Sequence, residues 1–184
     1  MNKFFDNYYK LMETCVASID HEDLVKAAEL VKSTSDNGNK IIIAGNGGSA
    51  AMASHVSVDF TKAAGIRAVN FNEADLLTCF ANDYGYENIF EKALEFYGDK
   101  GDSLILISSS GNSPNVINAS KQAKKQKINV ITFSGFDNSN LLKKEGDINF
   151  WVDSKAYNIV EMTHHIWLLS IVDYLVGDIY YSAN

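Results

Sequence analysis

The chain has 184 residues, 46% hydrophobic and 21% charged, enough to bury one core and too apolar for a wholly disordered polypeptide. A formal net charge of −7 argues against a nucleic-acid partner, which calls for a basic face, but leaves room for a small anion held by local N–H groups. The two cysteines, Cys15 and Cys79, stand too far apart in sequence for a metal-type pair and read as reduced thiols of a cytoplasmic protein.

Residues 3–19 and 22–35 read as two amphipathic helices. Asp6, Lys10 and Glu13 interrupt the first, so it is no signal peptide. In the second, Leu24, Ala27, Ala28 and Val31 recur at helical spacing, and Asn37-Gly38 supplies a stop. Lys40–Ala44 is then a β-branched run of the kind buried on both faces of a sheet. Runs of the same type follow at Ala68–Phe71, Ser103–Ile107, Asn129–Phe133 and Ile148–Val152, with helices predicted over 50–62, 87–97, 115–126 and 138–145. Such alternation predicts an α/β fold in which a parallel sheet carries helices on both faces. A long last helix, 156–177, has apolar Ile159, Met162, Ile166, Leu169, Val172 and Val176, a stripe broad enough to pack on the domain and on a partner subunit. Its longest apolar stretch, Ile166–Val172, is shorter than a bilayer crossing, and no membrane partner is expected. Lys121, Lys124, Lys125 and Lys127 read as a solvated helix face.

Ligands of parallel sheets bind beyond the carboxyl ends of the strands, and two strand ends here are unusual. The first runs into Gly45-Asn46-Gly47-Gly48-Ser49, and the third into Ser108-Ser109-Ser110-Gly111-Asn112-Ser113 ahead of Pro114. Glycine lets backbone approach a ligand, serine hydroxyls donate in several directions, and the helix that follows points its free N–H groups at the same spot. Either loop alone would suit an ordinary serine-capped turn. Two at corresponding places in one sheet point to a phosphorylated ligand, with the serine loop the better cradle. No Gly-Lys-Ser/Thr and no G-x-G-x-x-G occurs, so neither a nucleotide P-loop nor a nicotinamide cofactor is indicated. Asn82 and Asp83 read as an Asx-type turn ahead of a helix beginning near Glu87.

His55 and Asp59 are four residues apart, as are Glu161 and His165, so each pair shares a helix face. Two such pairs suit a divalent metal site or a proton-transfer centre, and Glu161/His165 equally suits a surface pair worth about 0.3 kcal/mol.

Three segments together resemble the phosphoheptose isomerases of the sugar isomerase (SIS) family: the glycine loop, Cys79–Phe90 (CFANDYGYENIF) and Ile107–Ala119 (ISSSGNSPNVINA). The resemblance spans nearly the whole chain. It implies one domain over 1–184, a three-layer fold with a five-stranded parallel sheet, and a homotetramer with active sites between subunits. It also implies conversion of D-sedoheptulose 7-phosphate to D-glycero-D-manno-heptose 7-phosphate for surface polysaccharide, lipopolysaccharide or capsule. Carried over by position, the sugar-contacting residues fall on Asn46, Gly47, Gly48 and Ser49, with Asn82 and Asp83, and the phosphate loop on Ser108, Ser109, Ser110 and Ser113. The family's first zinc-ligand histidine falls on His55, and Asp59 stands where a glutamate is usual. In the last helix, aligning His164 with the family's histidine puts Glu161 in place of a ligand glutamine and Leu169 in place of the second catalytic histidine, while a one-residue shift puts Leu168 there. The expectation is that His165 takes the vacant role. His55, Asp59, Glu161 and His165 would then surround the sugar's carbonyl end, with or without zinc, with Asp59 as base and His165 as acid. The altered centre leaves two alternatives: a non-catalytic phosphosugar-binding module, and an isomerase for another sugar phosphate.

Overall fold

The computed structural model of the chain describes residues 3–181. Five parallel strands, β1 (Ile41–Gly45), β2 (Ala68–Asn70), β3 (Ser103–Ser108), β4 (Asn129–Ser134) and β5 (Ile148–Trp151), form one sheet in the order β2-β1-β3-β4-β5. Every residue of β1 and β3 is buried, as a sheet covered on both faces requires. On one face, α1 (Lys3–Val16), α2 (His21–Asp36), α3 (Gly48–Lys62) and α7 (Tyr157–Val176) cover Ile41, Ile43, Ile105, Ile107, Phe133 and Phe150. On the other, α4 (Ala74–Tyr84), α5 (Ile89–Tyr97) and α6 (Pro114–Gln126) cover Ile42, Ala44, Leu104, Leu106 and Val130. The α/β, three-layer, five-stranded architecture read from the sequence is the one observed.

Local chemistry sets the boundaries. Asp20 caps α2, its carboxylate accepting from the Glu22 N–H at 2.9 Å. Pro114 occupies the first turn of α6, where its missing N–H leaves nothing unsatisfied. The first helix stops at Val16 rather than at residue 19. The helix expected over 138–145 shrinks to a single 3-10 turn at Leu142–Lys144. There Asp137 accepts from both the N–H and the hydroxyl of Ser139, at 2.8 and 2.7 Å, a local alternative to helical bonding. The Asn82-Asp83 turn is corrected as well. Both residues lie in the last turn of α4, which Leu76, Leu77, Phe80 and Ala81 hold against the core and Gly85 ends at φ +85°. The helix expected from Glu87 begins as a 3-10 turn, Tyr86–Asn88, and becomes α5 at Ile89.

By length and composition α7 is long and apolar enough to cross a membrane, with a mean hydropathy of 1.2, which corrects the expectation that no stretch here reaches that length. Its buried residues Ile159, Val160, Thr163, His164, Trp167, Leu168, Ile171 and Val172 lie in the domain, whereas Met162 and Ile166 face outward.

At the amino end of the two central strands, the fully buried Asp102 ties β1 to β3. Its carboxylate accepts from the Lys40 N–H (3.0 Å), the Asn39 amide (3.1 Å) and the Asp99 N–H (2.9 Å), and pairs with the Lys40 ammonium at 2.6 Å. Burial pushes this carboxyl upward, but the Lys40 and Asp99 hydrogen bonds outweigh burial and hold its pKa below the ordinary value. A lowered folded pKa means that the contribution is complete above about pH 4, the ordinary aspartate value, and is lost as pH falls through the folded pKa. Asp102→Ala leaves Lys40 without its buried partner and is expected to lower the unfolding free energy by roughly 3–5 kcal/mol at pH 7. Urea titration checks this, and a wild-type stability that stays flat as pH falls below 4 would contradict the assignment.

Candidate active site

The strand order turns around between β1 and β3, which are hydrogen-bonded neighbours with Gly45 opposite Ile107. Their carboxyl ends therefore open side by side, and the chain leaves toward α3 on one face and α6 on the other. This is the topological switch point, the usual ligand crevice of open parallel sheets. A cavity of about 130 Å³ occupies it, lined by Asn46, Ser49, Ile107, Ser108, Ser109, Ser110, Ser113, Tyr157 and Glu161.

Two loops and one helix build it. Gly47 sits at φ +56°, a backbone state that side chains rarely tolerate, and turns the chain sharply into α3. Ser108 and Ser113 share a hydroxyl–hydroxyl hydrogen bond of 3.0 Å across the serine loop. The loops are clasped together by a reciprocal amide pair: Asn46 Nδ2 donates to Asn115 Oδ1 at 2.9 Å, and Asn115 Nδ2 donates to Asn46 Oδ1 at 2.8 Å. Tyr86 adds a hydroxyl donation to the same Asn46 oxygen at 3.0 Å. Both lone pairs of that oxygen are thereby engaged, so Asn46 can offer a ligand only the remaining N–H of its amide.

From α7, Glu161 leans over the glycine loop. A Cβ on Gly48 would run into its carboxylate, and Ser109 Oγ donates to Oε1 at 3.5 Å. One helical turn further, His165 Nε2 lies 3.0 Å from His55 Nδ1, the rings edge to face, and His55 Nε2 lies 3.2 Å from Asp59 Oδ2. The three form a relay in the order His165–His55–Asp59. Burial lowers the His165 pKa, the neighbouring His55 lowers it further and Asp59 opposes both, so His165 is neutral at pH 7.

His164, the other histidine of the last helix, has a different fate. It is fully buried beside Phe133 and Trp167, its Nε2–H donates to the Ser134 carbonyl at 2.9 Å, and Nδ1 has no partner. Burial holds its pKa down at about 4, and it takes no part in the cavity. Leu168 is fully buried too, so neither it nor Leu169 brings acid–base chemistry.

Asn46, Ser49, Ser108, Ser109, Ser110, Ser113 and Glu161 are brought together as the sequence suggested, with Gly48 beneath Glu161. Asn82 and Asp83 are not: they are exposed on α4, bonded to each other at 2.8 Å. The sequence reading missed Tyr157, Tyr86 and Asn115. An asparagine directly after the helix-starting Pro114 was the only available signal for Asn115, which is buried and meets its partner 69 residues away.

The zinc set meets a geometric obstacle. His55 has one ring nitrogen on His165 and the other on Asp59, and the Glu161 carboxylate is turned to Gly48 and Ser109. Among the described residues no group of three or more His, Cys, Asp or Glu side chains is placed to hold a metal ion. His55 Nδ1 and His165 Nε2, 3.0 Å apart, are spaced much as two nitrogens on one zinc would be, with Asp59 behind His55, but as arranged no third donor converges with them and the set falls short of a zinc site.

Residues 3–135 match the SIS domain model. A phosphoheptose isomerase of Fusobacterium nucleatum is 36% identical over 159 residues, covering 84% of this chain and 81% of the relative. The chain belongs to the phosphoheptose isomerase family of SIS domains. A phosphoheptose isomerase of Thermodesulfovibrio yellowstonii is 38% identical over 163 residues, 85% of this chain and 80% of the relative. Among solved structures, the phosphoheptose isomerase of Neisseria gonorrhoeae superposes with a TM-score of 0.84 at 31% identity, over 93% of this chain and 94% of that one.

Among the described residues Glu161 is the one carboxylate lining the serine cavity, and it opposes any dianion there. At an effective dielectric of about 20, a charge several ångströms away costs on the order of 1–3 kcal/mol. Glu161→Gln is therefore expected to tighten binding of inorganic phosphate about tenfold, measured by calorimetry at pH 7. Unchanged or weaker affinity would place the phosphate away from this cavity.

Proposed function

We propose that the chain is an aldose–ketose isomerase that interconverts D-sedoheptulose 7-phosphate and D-glycero-D-manno-heptose 7-phosphate in the cytoplasm. The observation that carries the reading is the pairing of a five-serine cavity at the switch point with an acid–base relay one turn along the wall helix, in a chain of this family.

The serine hydroxyls and the amino end of α6 receive the phosphate, whose charge suits donors fixed in advance. The sugar then runs past Glu161, which accepts from its hydroxyls, and C1 and C2, remote from the C7 phosphate, reach the relay. Asp59 removes a proton from C1 of the ketose, giving a 1,2-enediolate. His165 delivers a proton to the O2 side and recovers one from O1, and the carbon-bound proton returns at C2. The product is the aldose, with no net change in protons. Placing His55 between the two holds their protonation states in register, and a neutral His165 can act in either direction.

The homotetramer is part of the proposal. Apolar Phe5 and Tyr9 on α1 and Met162, Ile166 and Tyr174 on α7 are exposed in the single chain, as a partner-covered face requires. Asn82 and Asp83, exposed and not part of the cavity lining in their own chain, suit a site completed between subunits. Light scattering is expected to give four chains per particle, and a monomer would remove this part.

The altered centre, with buried Leu168 where one alignment expects an acid–base group, favours the second reading, a binding module without turnover. Proton NMR in D₂O separates the two. Exchange of a carbon-bound hydrogen on sedoheptulose 7-phosphate is expected with the wild type. His165→Ala should reduce turnover by about 10²-fold or more while leaving sugar-phosphate affinity within a few-fold. Binding with no exchange by the wild type supports the module, and exchange at the wild-type rate by His165→Ala removes that histidine from the mechanism.

A further inference from the structure

The serine loop is held from behind by a segment that contributes no residue to the cavity lining. Two of the loop's carbonyls are turned back to it: Ser109 O accepts from the Gly135 N–H at 3.0 Å, and Gly111 O accepts from the Leu142 N–H at 2.9 Å. Asn112 Oδ1 accepts from the Leu141 N–H at 3.1 Å. With these acceptors tied away, the loop keeps its hydroxyls for the other side, where Ser108, Ser109, Ser110 and Ser113 line the cavity.

The centre of the segment is Asn140, only 2% exposed although it lies in a polar surface connection. Its amide donates to Ser134 Oγ (3.2 Å), the Gly135 carbonyl (3.2 Å) and the Asp137 carbonyl (2.8 Å), and its oxygen accepts from the Lys143 N–H at 2.9 Å. The side chain lies directly against Gly111, which is at φ +65°, and a Cβ there would collide with the Asn140 amide. Leu142, fully buried among Leu104, Leu106 and Val130, anchors the segment in the core. A buried amide with both ends satisfied has one orientation, so its contact with Gly111 is fixed as well.

We propose that Asn140 is a positioning residue for the phosphate seat, bracing the Gly111 turn of the serine loop from outside the cavity and so setting affinity for the phosphate end of the substrate. This rests on the reading of the serine loop as that seat. Asn140 reaches no reacting atom, so its removal acts on ground-state and transition-state binding alike, and KM moves while kcat holds.

Two variants test it. Asn140→Asp keeps the shape and the acceptor for Lys143 but loses the donations to Ser134, Gly135 and Asp137. Gly111→Ala leaves Asn140 in the chain and forces the turn away from it. Each is expected to raise KM for sedoheptulose 7-phosphate about tenfold, with kcat within about threefold, and to weaken inorganic phosphate by the same factor in calorimetry. Hydrogen exchange should accelerate over residues 108–113 with strands β1 and β4 unchanged. An unchanged KM in Asn140→Asp overturns the proposal. So does a fall in both parameters that tracks loss of folded protein, or exchange accelerated throughout the sheet, since either marks a general structural role. A wild type that binds neither inorganic phosphate nor a sugar monophosphate is a different failure, overturning the phosphate seat itself.

Discussion

The parallel pairing of β1 with β3 is the constraint from which the rest follows. Their register, from Ile41 opposite Ser103 to Gly45 opposite Ile107, is closed at the amino end by the buried Asp102 and its four donors. At the other end the same register leaves two loops side by side. Because α3 and α6 must then cover opposite faces, the crevice between the loops cannot be filled by either helix. A shift of one residue would turn every side chain of these fully buried strands to the wrong face, so the position of the cavity is enforced by the whole core.

The proposed phosphate seat is one way in which an acidic protein accommodates an anion. Net charge matters little over a few ångströms when donors are local and fixed. In the proposed seat, serine hydroxyls and a helix terminus supply attraction, while Glu161 supplies a repulsion that would confine a phosphate to the serine side. The Asn46–Asn115 clasp and the segment around Asn140 hold the two loops from different directions. Neither depends on charge, and both are satisfied within the chain.

Much of this was legible in advance because it is written in local chemistry. Buried parallel strands need β-branched runs, and those at 40–44, 103–107 and 129–133 are unmistakable. Glycine and serine at strand ends are local signals as well, and both loops lie at the carboxyl ends of β1 and β3, where the sequence puts them. The failures are equally physical. The helix expected over 138–145 is overruled by Asp137 and Asn140, whose side chains bond to nearby backbone. Helix α4 was overlooked although Leu76, Leu77, Phe80 and Ala81 recur at helical spacing, because the adjacent Asn82-Asp83 has the chemistry of a turn.

His164 and His165 mark the boundary most clearly. Adjacent residues on a helix point about 100° apart, so one enters the core and the other faces α3, but which does which depends on how α7 is rotated against the sheet. That rotation is set by packing, with Trp167 and Leu168 filling the interior on the side of His164. The order of residues alone determined the strands, the two ligand loops and the kinds of group available for chemistry, since each follows from neighbours along the chain. Only the tertiary structure decided that His165 joins His55 and Asp59, that Asn46 meets Asn115 and that Asn140 backs the serine loop, because these contacts join residues that only packing brings together.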